Sequence, residues 1–559
     1  MKEPFPVVSH DEWRARVEAE LGGEDFERAL VTHTLEGLSI QPLYSGKTPA
    51  SPRTELVDGS GFPGLWPYTR GSRTVPRGQR SWRVCQLQDD PDLNALSKSI
   101  EADLTGGADA LWLRLDRAAR LGLDGDAEGA AEQIGVEGVT IYSVADLTAA
   151  FAGADLVGVA LSLDAGANAL PAAALTLAAL AERGLEPESL DLVFGADPLG
   201  ALARDGELPG SLSSLEDEMG SLAVYCQSRL PRSRALAVSI LPYHDAGAHA
   251  VQELAYALAT GVHYLRCLEA AGVEPQAAID QMVFEFAIGR HLFAEISKLR
   301  AARLLWARMA RACGLEEPSP ARIHATTSAR TLTHRDPWNN LLRVTTQVFA
   351  AIAGGADAIT SSSFDAVLGK PGTDGRRLAR NTQTILAEEA HLGRVLDPAG
   401  GSFYVEWLTE EMARSAWTLF QEIESGGGMA QCLGSGLIAE QVEKSWRQRS
   451  ERLAEGIDPI IGVTDFAPVE EEALNRPDRR PPAVVTAAAR RTGEQRSRRG
   501  SLAIELPAGG VERVEACIAA ASHGATLGEL SAALERGGEP ARMPRLPVRR
   551  DSEPFEDES

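Results

Sequence analysis

Between residues 81 and 365 the chain alternates short apolar runs with longer stretches of helical periodicity. The runs are SWRVCQLQ (81–88), ALWLRLD (110–116), TIYSVA (140–145), DLVGVALSLDA (155–165), LDLVFGAD (190–197), ALAVSILPY (235–243), VFEFAIG (283–289), IHATTS (323–328) and AITSSSFD (358–365). Strands separated by helices pair in parallel through right-handed crossovers, and about eight such units close into a barrel. The pattern therefore predicts an α/β chain built on a (β/α)8 TIM barrel over residues 60–410. In ALWLRLD, Leu111, Leu113 and Leu115 form the helix-facing set, which turns Trp112 and Arg114 into the barrel. Barrels of this kind are filled along the axis by side chains, so these two are candidate axis residues.

The flanks differ from the barrel in pattern. Trp13, Val17 and Leu21 recur at helical spacing, and the Gly- and Pro-rich run to Pro67 predicts an extended arm, so residues 1–59 read as helix and arm. Residues 411–470 predict a helical extension, with periodicity over Ala413–Ile423 and Ile438–Leu453 and a break at Gly426–Gly428. Residues 471–500 hold eight arginines, a Pro pair and almost no large apolar side chain, the composition of a linker. Residues 501–540 predict a last helical segment, and 541–559 an acidic tail.

Composition narrows the function classes. A formal charge of −24 argues against general nucleic-acid binding, and no aromatic residue interleaves the arginines of 471–500 to stack on bases. No apolar run has the roughly 18 residues of a membrane span, and the polar start MKEPFPVVSHDEWRARVEAE lacks a signal-peptide core, so a cytoplasmic chain is expected. Cys85, Cys226, Cys267, Cys313, Cys432 and Cys517 are scattered without a CxxC pair, which predicts reduced, mostly packed thiols and no metal-ligand set.

Five sequence blocks carry a resemblance. They are Thr69–Gln86 (TRGSRTVPRGQRSWRVCQ), Ala246–Arg266 (AGAHAVQELAYALATGVHYLR), Lys298–Asn340 (KLRAARLLWARMARACG, then IHATTSARTLTHRDPWNN), Arg380–Gln383 (RNTQ) and Asp397–Val405 (DPAGGSFYV). In order and spacing they resemble the cobalamin-dependent acyl-CoA mutases, of which methylmalonyl-CoA mutase is the type. The resemblance implies a barrel threaded by coenzyme A and a flavodoxin-like domain whose DxHxxG histidine ligates cobalt. It also implies an N-terminal arm that wraps a partner subunit, where the sequence alone equally allows an arm folded onto its own barrel.

Several positions depart from that pattern. None of the ten histidines sits in DxHxxG; His523 lies in ASHGATLG, and fewer than forty residues follow it. The tyrosine expected after the first strand aligns with Leu87, the arginine beside Gln86 with Cys85, and another tyrosine with Arg73, while Arg80 keeps a family arginine and is the candidate substrate-binding residue. A leucine has no hydroxyl, and a cysteine lacks the bidentate contacts of a guanidinium. Val193 and Gly195 replace a threonine and a glutamine, Ala366 a ribose-binding glutamate, and Trp112 a small serine. The letters Tyr243 and His244 survive before AGA but are displaced by two positions, so an ungapped count puts Leu241 and Pro242 in their place. Along a strand a two-residue shift keeps the facing and moves the ring about 7 Å, beyond hydrogen-bond reach; the plain alternative for His244 is a loop-end histidine bonded to backbone. His324 matches a barrel histidine whose companion is here Thr326.

The resemblance is therefore to the small, non-catalytic subunits of methylmalonyl-CoA mutase heterodimers. It implies no catalytic residue on this chain, with Tyr243, His244 and His324 as the remaining candidates, and adenosylcobalamin bound by a large catalytic partner. Two alternatives stay open: the catalytic barrel of a split acyl-CoA mutase with a separate cobalamin subunit, and a protein that binds an acyl-CoA or a partner without a mutase role.

Overall fold

The computed structural model describes residues 9–45, 61–75, 80–469 and 474–556. Its centre is a closed barrel of eight parallel strands. In chain order these are β1 (Arg83–Gln88), β2 (Ala110–Arg114), β3 (Ala160–Asp164), β4 (Asp191–Ala196), β5 (Arg234–Ser239), β6 (Met282–Ile288), β7 (Arg322–Thr327) and β8 (Ala358–Thr360), and β8 closes the ring on β1 with Ile359 opposite Val84. Eight of the nine apolar runs coincide with these strands to within one residue at their starts or lie around them. TIYSVA does not: Ser143 accepts a hydrogen bond from the Asp146 backbone at 3.2 Å and caps the helix Val144–Ala150, so its oxygen starts a helix where the apolar pattern predicted a strand.

Alternation sorts the barrel into two cores. Leu111, Leu113 and Leu115 join the large core between strands and helices, whereas Cys85, Ala110 and Trp112 form a separate cluster inside the ring with Leu87, Ala160 and Leu241 against it. The helices Ala250–Ala270 and Leu292–Ala312 bury apolar faces of this outer layer and pack on Phe403–Ser425, the first helix of the extension.

The flanks require two corrections. Part of the stretch read as a linker is a helix, Pro482–Arg499, with Val484, Ala488 and Thr492 buried. Its charge is neutralised from afar: Arg491 pairs with Asp146 at 2.9 Å, and Arg496 with Asp124 at 2.6 Å and Asp126 at 2.8 Å. The acidic tail is likewise docked as far as residue 556, with Leu546, Asp551 and Ser552 buried. At the other end, Trp13 and Val17 lie along the helix His10–Glu20 and Leu21 is its C-cap, but none is fully buried. Most of the expected arm, residues 46–60, lies outside the described residues. Among the described residues no helix is long and apolar enough to cross a membrane, and the six cysteines are free thiols.

Candidate functional site

The barrel axis holds the residues that alternation turns inward. Trp112 on β2 lies edge-on to His324 on β7, with ring centroids 5.2 Å apart. The Arg114 guanidinium stands 4.8 Å over the Trp112 ring. His324 Nε2 meets Thr360 Oγ1 at 2.8 Å, and Nδ1 lies 4.0 Å from Glu285. Burial pushes His324 down to about 4 and Glu285 up to about 8, the latter with help from the Asp164 charge. Both are therefore neutral at pH 7. Burial likewise pushes the Cys85 thiol up to about 12, so the middle of the axis is a neutral layer.

Above it lies a charged layer. Arg114 Nε donates to Asp164 at 2.9 Å, Arg204 donates twice to the same carboxylate at 2.9 Å, and Arg120 pairs with Asp205 at 2.8 Å. Burial alone would raise Asp164, but Arg204 and Arg114 outweigh it and hold the carboxyl well below its usual range. Arg114 Nε thus donates to the protein's own carboxylate.

The C-terminal ends of the strands, where barrels of this class carry their chemistry, are crossed by the two segments read as linker and tail. Arg479 donates to Asp89 after β1 at 2.8 Å and to the Ala366 carbonyl after β8 at 2.7 Å, Arg480 donates to the Ile134 carbonyl at 2.6 Å, and Arg476 pairs with Asp365. From the other side, Leu546 N donates to Ala203 O, Arg549 N to Asp245 O and Asp551 N to Arg330 O, at 2.9, 3.0 and 2.9 Å. The Asp551 carboxylate sits among Arg330, Arg290 and Arg449 at 3.5, 3.9 and 3.9 Å. Burial opposes its ionisation, yet Arg449 and Arg330 hold it below the usual carboxylate value.

The N-terminal ends are open. A cavity of about 360 Å³ is walled by Arg73, Arg83, Arg232, Arg234 and Arg322 against Asp191 and Asp357, and its inner lining reaches Cys85, Ser162 and His324 but not Trp112 or Leu87. It ends beneath the Trp112 layer.

Of the candidates read from sequence, His324 is on the axis. His244 is not: it lies in a short helix, Leu241–Ala246, that follows β5, so the strand-facing argument does not apply to it. Nor is it bonded to backbone through its ring. His244 Nδ1 meets Glu253 and Nε2 meets Ser328 Oγ, both at 2.7 Å. A carboxylate only accepts, so Nδ1 carries the proton and Nε2 accepts the serine hydroxyl. Burial and Arg330 push His244 down to about 4 despite Glu253. Lys298 completes the chain at 2.7 Å from Glu253 and 2.6 Å from Glu295. Glu253 keeps its charge because Lys298 and His244 outweigh burial, whereas burial raises Glu295. Ser328, His244 and Glu253 have the order of a hydrolytic triad, but each is at most 2% exposed and Ser328 does not line the mouth cavity. They form a buried hydrogen-bonded relay whose Glu253 end lines a second cavity of about 390 Å³.

Tyr243 packs on Tyr256 with centroids 5.4 Å apart in the outer core, and Leu241 is the residue of this turn that touches the Trp112 cluster. Arg80 donates to the Gly107 carbonyl at 3.0 Å and does not line the mouth cavity. Gly195 has a backbone reason: its φ is +68°, at an irregularity in the β4–β5 register, and a Cβ there would lie 2.1 Å from the Leu163 carbonyl oxygen. The axis roles of Asp164 and Glu285, and the relay of Glu253, Glu295 and Lys298, were not read from sequence. Their signal was a charged residue inside an apolar stripe, as in AVQELAYALA and FAEISKLRAARLL.

The family model described as Methylmalonyl-CoA mutase matches residues 33–539. The chain is 40% identical over 481 residues to the methylmalonyl-CoA mutase small subunit of Streptomyces virginiae, covering 84% of this chain and 72% of that one. It is 34% identical to the small subunit of Propionibacterium freudenreichii subsp. shermanii, covering 83% and 69%, and 31% identical to the large subunit of Streptomyces virginiae, covering 84% and 64%.

Proposed function

Because this chain belongs to the methylmalonyl-CoA mutase family, we propose that it is the non-catalytic small subunit of a heterodimeric, adenosylcobalamin-dependent methylmalonyl-CoA mutase. The large subunit carries out the interconversion of methylmalonyl-CoA and succinyl-CoA, and acyl-CoA meets this chain only through the complex. The observation that carries the reading is Trp112, which fills the axis against His324 under Arg114. A pantetheine arm has no path past that layer.

The residues present do not fit a cobalamin on this chain. The strand ends that would face it are crossed by Arg476–Arg480 and by Leu546–Asp551, and His523 Nδ1 is engaged by the Ala519 carbonyl of its own helix at 2.7 Å. The cofactor is accordingly assigned to the partner. Two small-subunit relatives, and a large subunit from the organism of one of them, support a two-subunit arrangement.

The test is turnover and assembly. The purified chain with adenosylcobalamin and methylmalonyl-CoA is expected to give no isomerisation and to keep no cobalamin after desalting. Co-expressed with a large subunit it should form a 1:1 complex with a raised melting temperature. An obligate interface commonly buries more than about 2,000 Å², and deletion of residues 1–55 should weaken it. Near one equivalent of cobalamin retained on this chain alone would overturn the reading.

A second reading is supported by one observation. Five arginines against two aspartates around the N-terminal mouth suit an anionic ligand, as an acyl-CoA binder without a mutase role would require. A monomer that ignores the large subunit at micromolar concentration but binds CoA esters, less tightly after Arg83→Ala, would favour it.

A further inference from the structure

The helices Leu212–Arg229 and Ala250–Ala270, on the flank of the barrel and away from its axis, bring three unlike side chains together. His263 and Cys267 are four residues apart on the second helix, hence on one face, and Glu216 comes from the first. One candidate ligand atom from each lies within 4.8 Å of the others, and Glu216 Oε1 is 2.6 Å from His263 Nε2. The Glu216 and His263 side chains are 18% and 21% exposed. The group is thus neither a solvated surface cluster nor sealed from an ion.

We propose that Glu216, His263 and Cys267 form a binding site for a zinc-class divalent cation. Bonds of roughly 2.0–2.3 Å in a tetrahedral site place ligand atoms about 3.3–3.8 Å apart, which small side-chain rotations reach from the geometry present. The donor set selects the ion. Imidazole and thiolate suit zinc and cobalt, whereas magnesium and calcium take oxygen ligands. Three protein ligands leave a fourth position for water.

The ion would replace a hydrogen-bonded arrangement. Without metal, burial and the Glu216 charge hold the Cys267 thiol up to about 12, so Cys267 is protonated at neutral pH. On binding, the Cys267 sulfur–hydrogen bond gives way to a sulfur–metal bond and its proton leaves to solvent, while the hydrogen that His263 Nε2 donates to Glu216 is exchanged onto Nδ1, so that a neutral imidazole offers Nε2 to the metal. The consequence is a clamp between the helices that follow β4 and β5.

Cobalt(II) is a visible stand-in for zinc. Titrated into the metal-free full-length chain, it should bind to one equivalent, with ligand-field bands and a near-ultraviolet thiolate-to-cobalt band, both bleached by stoichiometric zinc. Cys267→Ser should lose the near-ultraviolet band, His263→Ala should weaken binding roughly tenfold or more, and Cys313→Ser, which removes the exposed thiol, should change neither. The proposal is overturned if the wild-type chain shows no saturable cobalt binding at micromolar concentration. It is equally overturned if the band persists in Cys267→Ser or vanishes in Cys313→Ser.

Discussion

The two mouths of the barrel have diverged. At the N-terminal ends of the strands a cavity of about 360 Å³ is lined by five arginines and ends below Trp112. At the C-terminal ends the same chain returns twice, bringing Arg479 onto the loops after β1 and β8 and Asp551 among Arg290, Arg330 and Arg449. The strand ring is intact at both mouths, so what differs is the occupancy of the end where chemistry in this fold resides. Inside the barrel the protein's own groups pair with one another. The Arg114 guanidinium binds Asp164, and the His324 ring faces Trp112.

If the C-terminal half is a consolidated core, breaking it should cost most. Lys298 is fully buried between Glu253 and Glu295, and Lys298→Met strands two carboxylates, an expected loss of about 3–5 kcal/mol that urea unfolding would read. Trp112→Ala opens the axis. It should cost about 3–4 kcal/mol, in the range of large aromatic truncations, and let the mouth cavity extend inward without creating turnover.

The buried histidines give the next effect. His324 ordinarily titrates near 6.5 and is held at about 4 in the fold, so the unfolded chain takes up the proton first as pH falls. The native state's advantage is complete above about 6.5 and lost on descending to about 4, at about 3 kcal/mol. His324→Gln should flatten that part of the stability profile. At the open mouth, by contrast, Arg322 is 40% exposed, and Arg322→Ala should change stability by no more than about 0.5 kcal/mol. A cost there equal to that of Trp112→Ala would erase the distinction between the two ends. The smallest effect is expected of Leu87→Tyr. It restores one ring but leaves Trp112, Arg114 and Gly195, and a lone ring does not hold a substrate at reacting distance; an isomerisation assay with a cobalamin-bearing partner should stay blank.

The barrel and the inward facing of Trp112 were legible in the sequence because alternation along a strand fixes which side chains share a face. The failures were of two kinds. TIYSVA was apolar enough for a strand, but Ser143 and Asp146 supply a local helix cap, and the local bond won. Residues 471–500 look like a linker because, apart from Glu494 beside Arg490 and Arg498, their arginines find their carboxylates far along the chain. Their partners Asp89, Asp124 and Asp146 lie more than 300 residues away, a distance no local pattern spans. The expectation that His244 is a loop-end histidine bonded to backbone missed for a related reason: the chain turns into a helix at Leu241 and carries the imidazole to Glu253 and Ser328. The trio Glu216, His263 and Cys267 is invisible to a search for paired cysteines, because only the four-residue spacing of His263 and Cys267 shows in the sequence.

The most direct test of the filled barrel is a count of active sites in the assembled enzyme. A complex of this chain with a large mutase subunit, saturated with adenosylcobalamin and desalted, is expected to retain one equivalent of cobalamin per heterodimer. All of its isomerisation should vanish when the large subunit alone is inactivated. Two equivalents per heterodimer, or turnover that survives inactivation of the large subunit, would contradict a barrel closed at Trp112.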